Sequence, residues 1–344
     1  MNLKVEVENS AFLDVDIKNI LYFTGSNQDL LWKFFRSFSH YEERNNELTS
    51  NVYGENGIEI SLGDQPLSPK NNIFHFIDSR ESIYQQMTYH KPSLLFSYLN
   101  SFVENNSVSK SIERINDELY KLNFVLQDLS HQFSDSLNID LKDIDYLSLL
   151  KNNLQLGYLE SDKFLPLEFM NTDELVDEYL NLIRKSLAEN SNTHWIILYN
   201  LDNYISKKKS SELVDKLKEL SQSSNLKIIY INNNLNALKL DPTDIEKIVV
   251  VSKESTQLPP YDLLLNSFKL HYPNSLLISD QDFVDSICRI VPFIGNKGED
   301  VYLTGKDLVL LKIANILFDY ETSFDQKYIS LTTSEVEFLN KQEP

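Results

Sequence analysis

Apolar residues in the first ninety positions come in short bursts that define a strand, loop and helix order. Lys4–Val7 and Ile20–Phe23 read as half-buried strands, the second running straight into Thr24-Gly25-Ser26-Asn27-Gln28. Leu30, Leu31, Phe34, Phe35 and Phe38 then recur at helical spacing, so a helix follows the loop at once. Asn51–Tyr53 and Ile58–Leu62 flank Gly54-Glu55-Asn56-Gly57, which predicts a β-hairpin because Gly and Asn tolerate positive φ. Ile73–Asp78 is a further strand.

The period then changes. Between Ser107 and Leu137 there is no Gly or Pro, and Val108, Ile112, Ile115, Leu119, Leu122, Leu126, Leu129 and Phe133 step by three and four. That seam predicts a long amphipathic helix packed on another helix, with Asp143–Leu154 and Asn171–Leu187 as the candidates. Asn171 caps the latter, with Glu174 at the capping-box position. Strands resume at Trp195–Tyr199, a run apolar on both faces that belongs in the centre of a parallel sheet. A helix over Ser210–Ser221, strands at Lys227–Ile231 and Lys247–Val251, and helices at Tyr261–His271, Ser279–Ile290 and Lys306–Phe318 complete the pattern. The expected organisation is an α/β head from 1–91 and 191–258, an inserted helical domain at 92–190 and a C-terminal helical extension at 259–344.

Composition narrows the function. The 344 residues suffice for two or three domains with a large core. One cysteine, Cys288, allows no internal disulfide and no thiolate zinc cluster, and it reads as a buried small hydrophobe. Neither an apolar leader nor a bilayer-length span is visible, so a cytoplasmic protein without membrane contact is expected. The net charge of −19 disfavours non-specific coating of DNA unless cations are gathered on one surface.

The loop after Ile20–Phe23 starts like a Walker A motif and then fails. That motif needs G-x-x-x-x-G-K-[ST], because glycines let backbone N–H groups approach phosphate, lysine neutralises it and a hydroxyl holds magnesium. Counting from Gly25, Leu30, Leu31 and Trp32 replace the second glycine, the lysine and the hydroxyl. Asp29 adds negative charge, and Lys33 lies about 200° of helical rotation from the lysine position. The degenerate nucleotide loop is thus Thr24, Gly25, Ser26 and Asn27. A Walker B strand ends in a carboxylate that holds magnesium. Asn200 and Leu201 follow Trp195–Tyr199 instead, with Asp202 displaced by two and readable as a turn former. These losses argue against nucleotide binding and hydrolysis, and the chain offers no H-E-x-x-H, no G-x-S-x-G and no Cys–His pair at metal-ligand spacing. Asp140, Asp143 and Asp145 miss the spacing of a calcium loop. Two cationic groups are candidate anion sites: Lys207, Lys208 and Lys209 after the Walker B-like strand, and Lys110, Arg114 and Lys121 on one face of the long helix. Solvated helix faces are the alternative for both.

This layout resembles the long form of the CRISPR-associated spacer-acquisition protein of type II-A systems. The resemblance rests on the degenerate loop and helix, the inserted long helix, the Tyr-Asn-Leu-Asp-Asn strand end, the acidic charge and the C-terminal helices. Members are similar to the heads of ABC and chromosome-maintenance ATPases without the ATPase. The resemblance implies a non-catalytic homotetrameric ring that threads double-stranded DNA ends through a lysine-lined hole. It also implies calcium steadying the assembly, and cooperation with the integrase pair and the RNA-guided effector nuclease in antiviral defence. Two alternatives stay open from the residues alone: a nucleotide-dependent ATPase or phosphotransferase with an unusual loop, and a protein scaffold that works without DNA.

Overall fold

The computed structural model describes residues 1–8, 11–41, 47–54, 57–132, 134, 136–189, 191–296, 303, 305–321 and 332–340. The chain divides into two compact units, residues 1–80 with 191–344, and residues 81–190. The fold is mixed α/β.

The first unit opens with β1 (Asn2–Glu8), β2 (Ala11–Asp16), β3 (Ile20–Thr24), α1 (Gln28–Ser39) and α2 (Glu47–Tyr53). Next come β4 (Ile60–Leu62), β5 (Gln65–Pro66) and β6 (Asn72–Ile77). Period-two alternation in β1 and β2 turns Leu3, Val5, Leu13 and Val15 inward, where they meet Phe34 and Phe38 of α1. The expected first strand of the Asn51–Tyr53 hairpin is instead the end of α2, and Ile60–Leu62 pairs antiparallel with β1. A tertiary contact overrides β-propensity there: Tyr53 is buried, and its hydroxyl bonds Ser37 Oγ at 3.0 Å and accepts from Arg36 Nε at 3.1 Å. Glu55 and Asn56 of the expected turn lie outside the described residues.

The second unit runs through α3 (Arg80–Gln86), α4 (Leu94–Asn100), α5 (Asn106–His131), α6 (Tyr146–Asn153), the hairpin β7 (Gly157–Glu160) and β8 (Lys163–Pro166), and α7 (Thr172–Glu189). Ser161 and Asp162 turn that hairpin with φ of 49° and 63°, a two-residue loop with both residues left-handed. Asn171 caps α7 as expected, accepting from Asp173 N at 2.8 Å and Glu174 N at 3.4 Å. The expected burial of the α5 seam is not found. Ile115, Leu122 and Leu129 are exposed, and the buried α5 positions are Asn123 and Ser130; Phe133 lies outside the described residues. What lies along α5 is an extended segment of the chain, held by side-chain amides. Asn116 exchanges two bonds with the backbone of Ile144, at 2.9 and 3.1 Å, and Asn123 accepts from Leu141 N at 3.0 Å. Gln127 donates to Ile139 O at 3.2 Å. These amides step by seven and four residues and so share one helix face beside the apolar seam.

The chain then returns to the first unit with β9 (Thr193–Tyr199), α8 (Lys207–Ser223), β10 (Leu226–Ile231), β11 (Ile248–Val251) and β12 (Ser255–Gln257). These strands complete a six-stranded sheet of order β12-β11-β3-β10-β9-β6, parallel except at β12. β3 and β9 are central strands with almost every side chain buried, as their continuous apolar runs require. Trp195 is fully buried between Phe74 and the core, and its indole N–H reaches Asn72 Oδ1 at 2.9 Å.

Among the described residues, four α-helices follow: α9 (Tyr261–His271), α10 (Asp280–Ile290), α11 (Lys306–Leu317) and α12 (Thr333–Asn340). They were expected as a separate module and belong instead to the unit of the sheet. The reason is physical: Ile294 and Tyr320, which follow α10 and α11, bond directly to the loops after β3 and β11. The inserted unit likewise begins at residue 81, ahead of the boundary expected at 92. Two buried charges seat α12. Glu335 accepts from the Tyr272 hydroxyl and from Thr332, and Lys312 Nζ donates to Phe338 O at 2.7 Å and Leu339 O at 3.2 Å.

Candidate functional site

Open parallel sheets bind ligands beyond the carboxyl ends of their strands. Here those ends are knitted to one another. Asn200, after β9, donates its N–H to Ile231 O at 2.9 Å; Asn232, after β10, donates to Phe23 O at 3.0 Å; Asn27, after β3, donates to Val251 O at 3.2 Å. A phosphate cradle needs such N–H groups aimed outward and unspent.

The degenerate loop is closed further by its own side chains. Asn27 Oδ1 caps α1 by accepting from Leu30 N at 3.0 Å, and its Nδ2 donates to Ser252 O at 2.8 Å. Ser26 Oγ donates to Ile294 O at 3.0 Å. Gly25, at φ +154°, is pressed so tightly on β11 that a Cβ would run into the carbonyl of Val251. Thr24 is fully buried with no hydrogen-bond partner for its hydroxyl among the described residues. Behind the loop, Gly295 donates to Asn315 Oδ1 at 2.8 Å, and Ser252 bonds the Tyr320 hydroxyl. The loop thus has backbone from the C-terminal region against it. Lys33 points elsewhere, paired with Glu8 at 2.8 Å and Asp29 at 3.1 Å, and hydrogen bonding to Glu8 first, then Asp29, raises its pKa.

At the Walker B-like end, Asn200 sits in the left-handed region at φ 50°, ψ 47°, and begins a single helical turn over Leu201–Asn203. Asp202 forms part of that turn, as its alternative reading held. One of its oxygens accepts from Asn232 Nδ2 at 2.9 Å and the other is buried without a partner among the described residues. Asn232 also donates to the Tyr230 hydroxyl at 3.0 Å, and burial, then the Asp202 charge, raises that phenol above its ordinary range. Asn232 is thus the central polar residue of this end, and an unremarkable Asn-rich turn was its sole signal in sequence.

The cationic candidates are divided. Lys207, Lys208 and Lys209 form the first turn of α8, which starts three residues earlier than expected, capped by Ser206. Lys207 and Lys208 are exposed, whereas Lys209 is buried and pairs with Glu212 at 3.5 Å. The trio is therefore not one cationic surface. The helical repeat turns each successive lysine by about 100°, which carries Lys209 into the packed side. Lys110, Arg114 and Lys121 are exposed on α5 in the other unit, and Lys121 pairs with Glu118 at 2.7 Å. Among the described residues no three His, Cys, Asp or Glu side chains converge as a metal site. Asp145 caps α6 through Ser148, whose hydroxyl and N–H lower its pKa, and Asp140 accepts from Asn123. Cys288 is buried, and burial pushes its thiol up to about 12. Among the described residues no helix is long and apolar enough to cross a membrane.

No protein-family model matches this chain, and no curated protein matches it. Among solved structures, the crystal structure of Stu0660 of Streptococcus thermophilus is similar over 96% of this chain and 97% of its own, with a TM-score of 0.85 and 17% identity. Likeness at that identity concerns the fold: the same α/β arrangement extends along nearly all of both chains.

Proposed function

We propose that this chain is a non-catalytic protein that binds double-stranded DNA ends as a homotetrameric ring in CRISPR spacer acquisition. The observation that carries the non-catalytic half is the closed loop at Gly25, whose backbone and side chains are bonded to Val251, Ser252 and Ile294 where a triphosphate would need them. A Walker-type site also needs a lysine, a hydroxyl and a carboxylate, and Leu31, Trp32 and Asn200 stand in those positions.

The DNA half is supported by the family resemblance and by two exposed lysines, Lys207 and Lys208, beside the carboxyl ends of the strands. A chain of net charge −19 meets DNA through a few gathered cations with an acidic exterior turned away. The integrase pair and the RNA-guided effector nuclease are the partners this reading carries, and calcium is the ion it carries.

The test is a native-mass measurement with and without calcium, followed by binding to linear and closed circular duplex in one buffer. The proposal expects a tetramer, retention of the linear form alone, and affinity that falls steeply with salt. Equal retention of both forms, or a monomer indifferent to DNA, contradicts it.

A further inference from the structure

The inserted unit carries an apolar cleft that the DNA reading does not use. Its volume is about 840 Å³, the size of a ligand or peptide cleft. Met87, Leu95, Leu167, Met170 and Leu182 contribute apolar lining, and two of these are methionines, which adapt to varied partners. Leu156 to Glu160 line it continuously, so β7 runs along the cleft.

The two edges of the hairpin differ. A two-residue turn makes Glu160 and Lys163 a hydrogen-bonded pair, and the ladder alternates from there, so Tyr158 and Leu165 form the next such pair. The N–H groups of Gly157 and Leu159 therefore point away from β8. On β8 the outward positions are Phe164 and Pro166, and Pro166 has no N–H. The β8 edge thus offers one outward N–H where the β7 edge offers two. Among the described residues β7 makes no backbone hydrogen bond beyond those to β8, and Leu159 is 76% exposed. A two-stranded hairpin is marginal by itself and gains from a third strand.

Charge along the cleft is ordered. Glu174 and Glu178 sit one turn apart on α7, and Arg184 and Lys185 follow about 9–17 Å further along its axis. We propose that the free edge of β7 takes an extended segment of a partner protein as a third strand, its alternate apolar side chains entering the cleft. Its cations lie against Glu174 and Glu178, and its carboxylates against Arg184 and Lys185.

The probes are two labelled eight-residue peptides that alternate valine with polar residues, one with two lysines before two glutamates and one in the reverse order. Anisotropy against the full chain is expected to show one order bound at least tenfold tighter. Leu159→Ala, which keeps the outward N–H, holds that affinity, and Leu159→Pro, which removes it, loses at least tenfold. The double substitution Glu174→Lys with Glu178→Lys, which leaves the hairpin intact, abolishes the preference between the peptides, because all four charges along the cleft are then positive. No binding, equal binding of both orders, or full affinity in Leu159→Pro overturns the proposal. So does concentration-dependent self-association that Leu159→Pro abolishes, since the edge then belongs to a second copy.

Discussion

The two units of this chain solve opposite problems. The sheet unit has the large buried core, although Leu263, Leu270 and Leu277 of its C-terminal region are exposed, and it buries even charge: Asp244 has no exposure at all, yet it is held by Lys218 at 2.7 Å and Lys247 at 2.9 Å. The inserted unit leaves large apolar side chains in the open, among them Tyr120, Leu122, Phe124 and Val125 on α5, Phe164 on β8 and Phe169. Soluble folds do not retain contiguous exposed apolar surface without a use for it. The sheet unit rests on a large core of its own, whereas most of the exposed large apolar side chains among the described residues lie in the inserted unit.

Cutting into each region breaks or sharpens that contrast. Phe34→Ala removes a ring at the centre of the sheet unit, 1% exposed and tilted against Phe23, and is expected to cost about 3–5 kcal/mol in urea unfolding. Asp244→Ala strands two lysines that retain partial access to water, and a loss of about 3 kcal/mol is expected by the same measurement. A loss below about 1 kcal/mol in either variant would deny the sheet unit its self-sufficient core.

Acid probes the same unit. His194 lies against His75 at 3.0 Å, and burial lowers its pKa to about 4 from 6.5. The unfolded chain takes up a proton below pH 6.5 that the folded chain refuses until near pH 4, so stability is full above 6.5 and falls as pH drops through that window. The expected loss between pH 7.5 and pH 5 is about 2 kcal/mol. His194→Gln flattens that part of the stability profile, and a profile unchanged by the substitution would remove burial as the cause.

In the inserted unit, Asn123→Ala frees Leu141 N and should cost about 1–2 kcal/mol of local stability, read as faster hydrogen exchange in residues 139–145. The smallest effect is assigned to Leu122→Ser on the uncovered stripe. Its unfolding free energy stays within about 0.5 kcal/mol of the parent, while association measured by native mass changes. A loss comparable to that of Phe34→Ala would mean the stripe is internal core.

How much of this was legible in sequence follows the same division. β3, the Gly25 loop and α1 were readable because a five-residue apolar run, a Gly-containing turn and a helical stripe are local signals. The sheet's centre was readable at Trp195–Tyr199 for the same reason. The inserted unit misled because α5 has the periodicity of a packed helix, yet the chain lays amide-bound backbone beside that seam. The β7–β8 hairpin was missed because Ser161-Asp162 lacks the Asn-Gly or Asp-Gly signature of a two-residue turn. At the candidate site the losses of Walker chemistry were readable position by position. Its closure was not, because Val251, Ser252 and Ile294 reach Gly25 to Asn27 only through long-range packing.

That closure is most directly tested by the melting temperature of the full chain with and without millimolar ATP and magnesium. A ligand that binds the folded state raises it by mass action, by about 2.7 kcal/mol of stability at a hundredfold excess over Kd. A loop already bonded to its own chain predicts no shift. A rise of several degrees would show that triphosphate enters and would contradict the non-catalytic account.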